Sequence, residues 1–460
     1  MDSTFAGNKA PGGTGGAIYN TGDLTMTGCT VSDGLAGAGL TGGVDNSGTL
    51  SVTKSHFARN VGGFAAGAIG NSGTLTITDS TFDANAGGVA GAVNNGGPAT
   101  ISGCTFSDNN AFSGDAGAIY NANTLTIATS TFSTNTATAQ GGGIFNSGSN
   151  AKLSVTASTF SGNAAGGGQQ GGGVYNDPMA TVTITNCTFS ANMGGAAGGG
   201  IYSAGTATVR SSTFSANTAA GIVTQGGGSM LVQNTIVAKN VPVDCIGLVT
   251  SLGNNLDGPS TCGFAGAGDL HVPDPLLGPL ADNGGPTPTE ALLLGSPAID
   301  AGSGDCPGTD QRGTARPMDG DGVAVCDIGA YEVPAPVTTT TTTSTTLPCP
   351  AAPTFDSIRC RLATLLAAMQ AQVAAGRLRD GLVAALTKAT TLTEQAEAGM
   401  GKAHSRRSKK RLAGAIGALK RFETKLQAHQ AKRLQKSLRT DLRARSKTLR
   451  KALATLGASL

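Results

Sequence analysis

Carboxylates and histidines are the residues of this sequence that could carry hydrolase or lyase chemistry. Glycoside hydrolysis needs two carboxyl groups roughly 5 to 10 Å apart, and a lyase needs a strong base beside cationic groups. Up to residue 240 the only histidine is His56, and Asp79 and Asp83 lie in one short phrase. Residues one repeat before and after these aspartates are not acidic: Lys54, Gly103, Ala58 and Ser107. We predict no catalytic residues, with a carbohydrate-active lyase or hydrolase as the alternative.

Hard oxygen ligands occur together near the end of the acidic half of the chain. Asp319 and Asp321 in "DGDG", with Asp327, are similar to a calcium-binding loop. Ala330 occupies the twelfth position counted from Asp319, where such loops carry a bidentate glutamate. A structural calcium site and a plain polar turn both stay open, and no other cofactor is predicted.

The nine cysteines fall into two groups. Cys29, Cys104 and Cys187 lie three repeats apart, about 14 Å at ~4.8 Å per coil, which is beyond the ~7 Å Cα limit for a disulfide. We expect them to be buried thiols. The other six form plausible disulfides in an oxidising compartment, with buried thiols as the alternative: Cys245 with Cys262, Cys306 with Cys326, and Cys349 with Cys360.

Charge divides the chain into two parts that would attract different partners. Residues 1–336 contain 8 Lys or Arg and 22 Asp or Glu, whereas residues 337–460 contain 23 and 6. The densest basic cluster invites an anionic envelope component or polysaccharide: Arg406, Arg407, Lys409, Lys410 and Arg411. The alternative is a solvated helix face. Specific nucleic-acid recognition is not expected, because no aromatic stacking platform accompanies the basic residues.

A repeat of 23 to 29 residues positions the side chains of the acidic half. Phrases such as "TLTITDSTF" alternate apolar and polar residues, which predicts short strands with one buried face. Phe57, Phe82 and Phe106 mark one inward column, and only Ser or Cys stands two residues before each anchor. The residue between these columns, usually threonine, is predicted to face outward.

Asparagines recur in two further columns. One ends the phrase "GAIYN" and its variants, and the other follows each phenylalanine by three residues. Because asparagine tolerates left-handed backbone and bonds its neighbours at turns, we expect these residues to turn the chain and stack as amide ladders. The second column contains Asn60, Asn85, Asn109, Asn135, Asn163, Asn192 and Asn217.

These patterns predict an all-β right-handed parallel β-helix solenoid of nine to ten coils, followed by a separate C-terminal α-helical bundle. The predicted boundaries are 1–243 for the β-helix, 244–333 for a disulfide-stapled cap, 334–350 for a Pro/Thr-rich linker and 351–460 for the basic helical bundle. Apolar residues, mainly leucines, recur at helical spacing from Ile358 to Leu456, and breaks at Gly376 and around "GMGKAHSRRSKK" divide the bundle into three or four helices.

Two stretches resemble known families. "GGAIYN", "TLTITDSTF" and "STFSGN" resemble the repeats of polymorphic outer-membrane-type and other pectin-lyase-like β-helix proteins, which include adhesins and enzymes. The segment from Asp244 to Glu332, with "DQRGTARPMDGDGVAVCDIGAYE", resembles the choice-of-anchor Q domain of secreted bacterial β-helix proteins. The resemblance implies a location at the bacterial surface.

The function expected from the sequence is that of a non-catalytic exported surface protein, adhesin-like or structural, with a basic attachment module. The alternative is a β-helix protein that binds or degrades polysaccharide. No secretory signal or transmembrane segment is predicted. Because "DSTFAGN" at the start matches "DSTFDAN" at Asp79–Asn85, we expect earlier coils to precede this chain.

Overall fold

The structure is a computed structural model that describes residues 2–12, 15–37, 40–258, 261–293, 295–318, 325–334, 354–372, 377–398, 405–427 and 436–459. The chain divides into two compact units, Met1–Thr338 and Thr339–Leu460. The first unit is a solenoid of parallel strands, and the second contains four helices.

Three parallel sheets run along the solenoid, and each coil contributes one strand to each sheet. Sheet 1 contains the phenylalanine strands: Thr4–Ala6, Thr30–Ser32, His56–Ala58, Thr81–Asp83, Thr105–Ser107, Thr131–Ser133, Thr159–Ser161, Thr188–Ser190, Thr213–Ser215, Ile236–Ala238, Leu256–Asp257 and Leu270–His271. Sheet 2 contains strands that mostly end in asparagine: Ile18–Asn20, Val44–Asn46, Ile69–Asn71, Val93–Asn95, Ile119–Asn121, Ile144–Asn146, Val174–Asn176, Ile201–Ser203, Ile222–Thr224 and Cys245–Ile246.

Sheet 3 contains mainly five-residue strands: Asp23–Thr27, Thr49–Thr53, Thr74–Thr78, Ala99–Ser102, Thr124–Ala128, Lys152–Thr156, Thr181–Thr185, Thr206–Arg210, Ser229–Gln233 and Thr250–Ser251. Short two-residue strands add a four-stranded and a two-stranded ladder: Ala86–Gly87, Asn110–Ala111, Thr136–Ala137 and Ala164–Ala165, then Lys9–Ala10 and Leu35–Ala36. The ten strands of sheets 2 and 3 confirm the predicted solenoid of nine to ten coils.

The core consists of identical side chains stacked in register. Phe82 pairs with Phe57 and Phe106 in the neighbouring coils. Seven phenylalanine rings from residue 57 to residue 214 stack with centroids 4.6 to 4.9 Å apart and planes within 9°. The inward aliphatic column of sheet 3 is fully buried beside them, as Ile77 and Ile101 illustrate. Periodic apolar positions in the sequence therefore define one continuous core.

Small residues fill the corner between sheets 3 and 1. The Ser80 hydroxyl accepts a hydrogen bond from the amide of Ser55 at 3.0 Å and donates to the carbonyl of Thr78 at 2.8 Å. Cys29, Cys104 and Cys187 occupy the same column as buried free thiols, as the sequence predicts. Burial raises the pKa of Cys104 to about 11 and that of Cys187 to about 12, so both stay protonated at neutral pH.

The asparagine column after sheet 1 forms a buried amide ladder. Each side-chain amide donates to the Oδ1 of the next coil's asparagine at 2.8 to 3.0 Å, from Asn60 through Asn240. The same Oδ1 also accepts the backbone N–H of the preceding coil's asparagine, as in Asn85 N to Asn109 Oδ1 at 3.0 Å. Asn240 ends the ladder by donating to the Asp244 carboxylate at 3.0 Å.

Left-handed backbone falls one residue earlier than the sequence analysis expects. Arg59, Ala84 and Asp108, each preceding a ladder asparagine, have φ of 54°, 51° and 54°. The asparagine is therefore selected for its amide donor and acceptor, which the turn delivers into the core.

A second amide ladder lines the corner after sheet 2. Asn20, Asn46, Asn71, Asn95, Asn121, Asn146 and Asn176 connect at 2.7 to 2.9 Å between successive amides. Asn176 then donates to the hydroxyl of Ser203 at 3.0 Å. Within each of the two columns, buried amides thus satisfy one another's hydrogen bonds from coil to coil.

Parallel pairing continues past residue 243, where the sequence analysis places the start of the cap. Ile222 pairs with Cys245, and Leu256 pairs with both Ile236 and Leu270. Val249, Cys262 and Phe264 join the solenoid core, which therefore extends beyond residue 243.

We name residues 277–333 the flanking segment. It begins with an antiparallel hairpin, Leu277–Ala281 with Thr289–Leu292, and is otherwise irregular in its described residues. Its described residues contact the outer face of sheet 1, and Ala301 accepts a hydrogen bond from Asn254 near the end of the solenoid. Part of the predicted cap therefore lies along the side of the β-helix.

The second unit contains helices α1 (Phe355–Gln372), α2 (Arg377–Ala398), α3 (Ser405–Gln427) and α4 (Lys436–Ser459). Each helix contacts the next, and α1 also contacts α4. The described core side chains are mainly leucines at the predicted helical spacing: Ile358, Leu362, Leu365, Leu382, Leu386, Leu412, Leu419, Phe422, Leu426, Leu442, Leu449, Leu453 and Leu456. None of the described helices combines the length and apolar character needed to cross a membrane.

We predict that Asn109→Ala destabilises the solenoid by about 3 kcal/mol or more. The change removes the acceptor of the buried Asn85 N–H and the side-chain donor to the Phe82 carbonyl, at about 1 to 3 kcal/mol each. Urea unfolding followed by tyrosine fluorescence measures this, because all five tyrosines lie in the first unit. The neighbouring exposed residue provides the control, and Asn110→Ala should change the unfolding free energy by less than about 0.5 kcal/mol. Equal effects of the two variants would contradict a stabilising ladder.

Candidate binding surfaces

The outer face of sheet 1 has an open part and a covered part. In the early coils Thr105 and His56 are exposed, as predicted for the outward column. In the later coils Thr159, Thr188 and Thr213 occupy the same column but are buried. The outward threonine face is therefore available to a partner in only part of the solenoid.

Gln311 of the flanking segment binds the covered threonines directly. Its Nε2 donates to the hydroxyls of Thr159 at 2.8 Å and Thr287 at 2.9 Å, and its Oε1 accepts from Thr188 at 2.6 Å. Thr159 donates in turn to the carbonyl of Pro288 at 2.5 Å. One buried amide thus joins two coils to the flanking segment.

Glu290 makes a second attachment two residues further along sheet 1, on the strands Thr188–Ser190 and Thr213–Ser215. Its carboxylate accepts hydrogen bonds from the hydroxyls of Ser190 at 2.7 Å and Ser215 at 2.5 Å. Burial raises the pKa of Glu290, while the two serine hydroxyls oppose this shift by stabilising the carboxylate. Sequence analysis did not identify Gln311 or Glu290 as contact residues, because neither belongs to the repeat.

The motif "DQRGTARP" with "CDIGAYE" builds a polar interior for the flanking segment. Arg316 and Glu332 are both buried, with 3.6 Å between Nε and Oε2. Arg312 bonds Asp310 at 2.7 Å and lies 3.5 Å above the Tyr331 ring. These polar contacts lie beside an apolar cluster in which Leu277, Leu292 and Ile328 of the segment pack with Ile236 and Leu256 of sheet 1.

Of the three predicted calcium ligands, only Asp327 lies among the described residues. Asp319 and Asp321 lie outside the described residues. The Asp327 carboxylate is buried, and its two oxygens accept the backbone N–H groups of Asp300 at 2.8 Å and Val333 at 2.5 Å. Among the described residues no group of three or more potential ligands is arranged to hold a metal. Burial raises the pKa of Asp327 to about 7.

Two of the predicted cysteine pairs lie at disulfide distance. Cys245 and Cys262 are separated by 4.7 Å between Cα atoms, and Cys306 and Cys326 by 6.5 Å. The first pair fixes the end of the solenoid, and the second closes a loop of the flanking segment. Cys360 is disulfide-bonded, and Cys349 lies outside the described residues.

Charged residues on the solenoid mainly contact residues of the adjacent coil. Arg59 bonds Asp33 at 2.8 Å in an exposed pair. Asp83 accepts from the hydroxyl of Ser107 at 2.9 Å, and its register partners are Ala58 and Ser107. This register agrees with the column assignment from the sequence, in which no carboxylate stands opposite Asp83.

The outer face of sheet 2 carries a column of aromatic rings that the sequence analysis did not single out. Tyr120, Phe145, Tyr175 and Tyr202 stack with centroids 5.0 to 5.4 Å apart. Burial raises the pKa of Tyr175 to about 12. Because the rings stack on one another, mainly their edges are left to contact a partner.

The three coils before Tyr120 carry Asp45, Gly70 and Asn94 in this column, and a depression of about 260 Å³ lies there. Gly70 pairs with Asp45 and Asn94 and forms its floor. A Cβ at Gly70 would lie 2.3 Å from the hydroxyl oxygen of Thr41, so a larger residue cannot enter without displacing that side chain. Burial raises the pKa of Asp45.

The predicted basic cluster lies at the start of α3. Arg407, Lys409 and Lys410 are exposed, and Arg411 is half-buried with its guanidinium donating to the carbonyl of Gln395. The side chain of Arg406 lies outside the described residues. Three of the five predicted residues therefore project into solvent from one end of a helix.

Comparison with protein families supports the right-handed β-helix. The family described as Right handed beta helix region matches residues 91–208 and 142–257. The family described as Chlamydia polymorphic membrane protein (Chlamydia_PMP) repeat matches residues 2–21. Neither the curated proteins nor the solved structures gave a significant match. The fold and these matches define the first unit as a right-handed parallel β-helix.

We predict that the solenoid unit loses stability as the pH rises from about 4 to about 7. The folded chain holds Asp327 protonated up to about pH 7, whereas an unfolded aspartate ionises near pH 4, so folding retains a proton in this interval. Urea midpoints at about pH 5 and pH 8 measure the loss. Asp327→Asn should reduce the difference between the two midpoints, whereas Asp305→Asn, whose side chain is 84% exposed, should preserve it. An unchanged difference in Asp327→Asn would show that another group is responsible.

Proposed function

We propose that this chain is an exported bacterial surface protein, with a non-catalytic β-helix that displays its outer faces and a basic helical unit that attaches it to an anionic envelope component. The observation that carries the proposal is the separation of roles between the two units. Repeated residues of the solenoid are used in stacking and amide ladders, whereas the helical unit concentrates exposed basic residues.

Two similarities support a surface location. The Chlamydia polymorphic membrane protein repeat matched at residues 2–21 belongs, by its description, to membrane proteins. The segment from Asp244 to Glu332 resembles the choice-of-anchor Q domain. This resemblance also supports a surface location, because that domain precedes surface-attachment elements. The cysteine pairs at disulfide distance suit an oxidising compartment outside the cytoplasm.

A polysaccharide-binding β-helix is the second candidate, and the depression on sheet 2 favours it. Carboxylate, amide and hydroxyl groups converge there from Asp45, Asn94 and Thr41. Such groups can bond sugar hydroxyls, and Tyr120 follows Asn94 in the same column. Binding without cleavage is the proposed activity, with lyase or hydrolase action as the alternative to be tested.

We predict that the full chain binds phosphatidylglycerol-rich vesicles at low salt and releases them at high salt, because counterions screen exposed charges. Replacing Lys409 and Lys410 together with glutamate should weaken binding about tenfold or more, since each basic residue near an anionic surface contributes about 1 kcal/mol. Vesicle co-sedimentation across a salt series measures both effects.

Lys54→Glu with Lys152→Glu is the control, because it makes the same change in net charge on exposed solenoid residues. It should leave vesicle binding largely unchanged. Equal loss in the two double variants, or no binding by the native chain at low salt, would defeat attachment through the helical unit.

For the second candidate, we predict that Asp45→Ala with Asn94→Ala lowers retention on an insoluble polysaccharide about tenfold, because two half-buried side chains that would bond the sugar are lost. Asp23→Ala with Asn110→Ala, at exposed positions elsewhere on the coil, is the matched control. Reducing ends and unsaturated uronate are measured in the same incubation. Their release by the native chain would replace the non-catalytic proposal with an enzymatic one.

A further inference from the structure

A groove between α1 and α4 combines an apolar floor with a basic rim. It encloses about 380 Å³, within the ~300 to 1,000 Å³ typical of small-molecule sites. Leu365 from α1 and Leu449 from α4 are buried and form the floor. Arg361 of α1 and Arg445 of α4 also line it and bring two positive charges to its edge. Floor and rim therefore favour different parts of one amphipathic ligand.

The rest of the lining is compatible with a ligand that enters from the surface. Thr364 and Thr448 are exposed hydroxyl residues on facing helices, and Ala444 leaves room above the leucines. Arg361, Thr364 and Arg445 also interact with other groups of the chain. Guanidinium groups present paired N–H donors that match the oxygens of a carboxylate or phosphate.

The neighbouring surface of α4 adds positive charge on its other side. Lys447 and Lys451 lie one helical turn apart and line a second groove with Ile416 of α3. Like charges four residues apart on a helix repel each other, and a nearby anion reduces that repulsion. The acidic residue described beside this groove, Glu423, is already bonded to Arg450 at 2.9 Å. The face formed by α4 is therefore positively charged on both sides of the helix.

We propose that the α1–α4 groove binds an anionic amphiphile, with the acyl chain over Leu365 and Leu449 and the phosphate or carboxylate between Arg361 and Arg445. The occupant could be a membrane lipid or a soluble single-chain phosphate, since both offer the same chemistry. The inference rests on the proposed attachment function and gives that function a specific binding site.

Dodecyl phosphate below its micelle concentration is the probe, titrated calorimetrically into the full chain. We expect saturable binding of one equivalent. Dodecyl maltoside, which has the tail without the charge, and inorganic phosphate, which has the charge without the tail, should each bind at least tenfold more weakly. Equal binding of either compound would overturn the proposal.

Ala444→Phe fills the groove without changing charge and should weaken dodecyl phosphate binding tenfold or more. Ala413→Phe, at an exposed position of α3 outside both grooves, is its control. Arg445→Gln tests the headgroup contact separately and should cost about tenfold, with the exposed Lys420→Gln as the charge-matched control. Native affinity in both Ala444→Phe and Arg445→Gln would refute the groove.

Vesicle binding separates this inference from the attachment proposal. If native vesicle binding persists but groove variants bind dodecyl phosphate normally, attachment stands and the groove inference fails. If dodecyl phosphate binds in the groove but vesicles do not bind the native chain, the groove is a site for soluble amphiphiles and the attachment proposal fails. Loss of both ligands in Ala444→Phe supports a membrane lipid as the occupant.

Discussion

In-register stacking of each coil on the next is the constraint on which the solenoid depends. Backbone groups of one coil bond to the coils before and after it, so each side chain meets its own equivalent about 4.8 Å away. An inward position therefore favours a residue that packs or bonds with the same or a similar residue in the adjacent coil. Phenylalanine satisfies this by ring stacking, and asparagine satisfies it because its amide is both donor and acceptor. A column of buried aspartates would repel itself.

The same rule accounts for the way a ladder ends. Each interior amide accepts hydrogen bonds from the previous coil and donates one to the next coil. The last amide therefore needs a partner that only accepts a hydrogen bond. Asp244 meets that need for Asn240, and its other oxygen accepts the N–H of Gly258. A carboxylate is suitable at this single position because no second carboxylate stacks on it. The ladder thus joins the repeated coils to the irregular chain that follows.

The flanking segment follows different physics, because it has no repeat to stack on. It uses the regular hydroxyl columns of sheet 1 as a binding surface, and it places a buried Arg316–Glu332 pair inside itself. Buried charges cost desolvation, so we regard this pair as a device for specifying one arrangement rather than as a large source of stability. Its role is consistent with a chain that must find one position on a surface of repeated threonines.

Sequence reasoning succeeded where the physics is local and periodic. Coil length, the phenylalanine and isoleucine columns, the buried thiols and the helical leucines all follow from spacing alone. The position of the flanking segment could not be predicted, since Thr188 and Gln311 are 123 residues apart. The repeat itself does not indicate which coils are covered, because the same column holds threonine in exposed and in covered coils. Left-handed backbone lies one residue before the predicted position, because the tolerance of asparagine for this conformation does not show which residue of the turn adopts it.

The charge balance of the helical unit gives the strongest physical reason to expect a partner. Residues 337–460 contain 23 basic and 6 acidic residues, and two of those acids, Glu397 and Glu423, are already engaged by Arg359 and Arg450. The remaining basic residues repel one another in the folded bundle, and that repulsion decreases when an anionic surface or ligand binds. Binding and stability of this unit are therefore coupled, because a partner that neutralises the basic face also stabilises the fold that presents it.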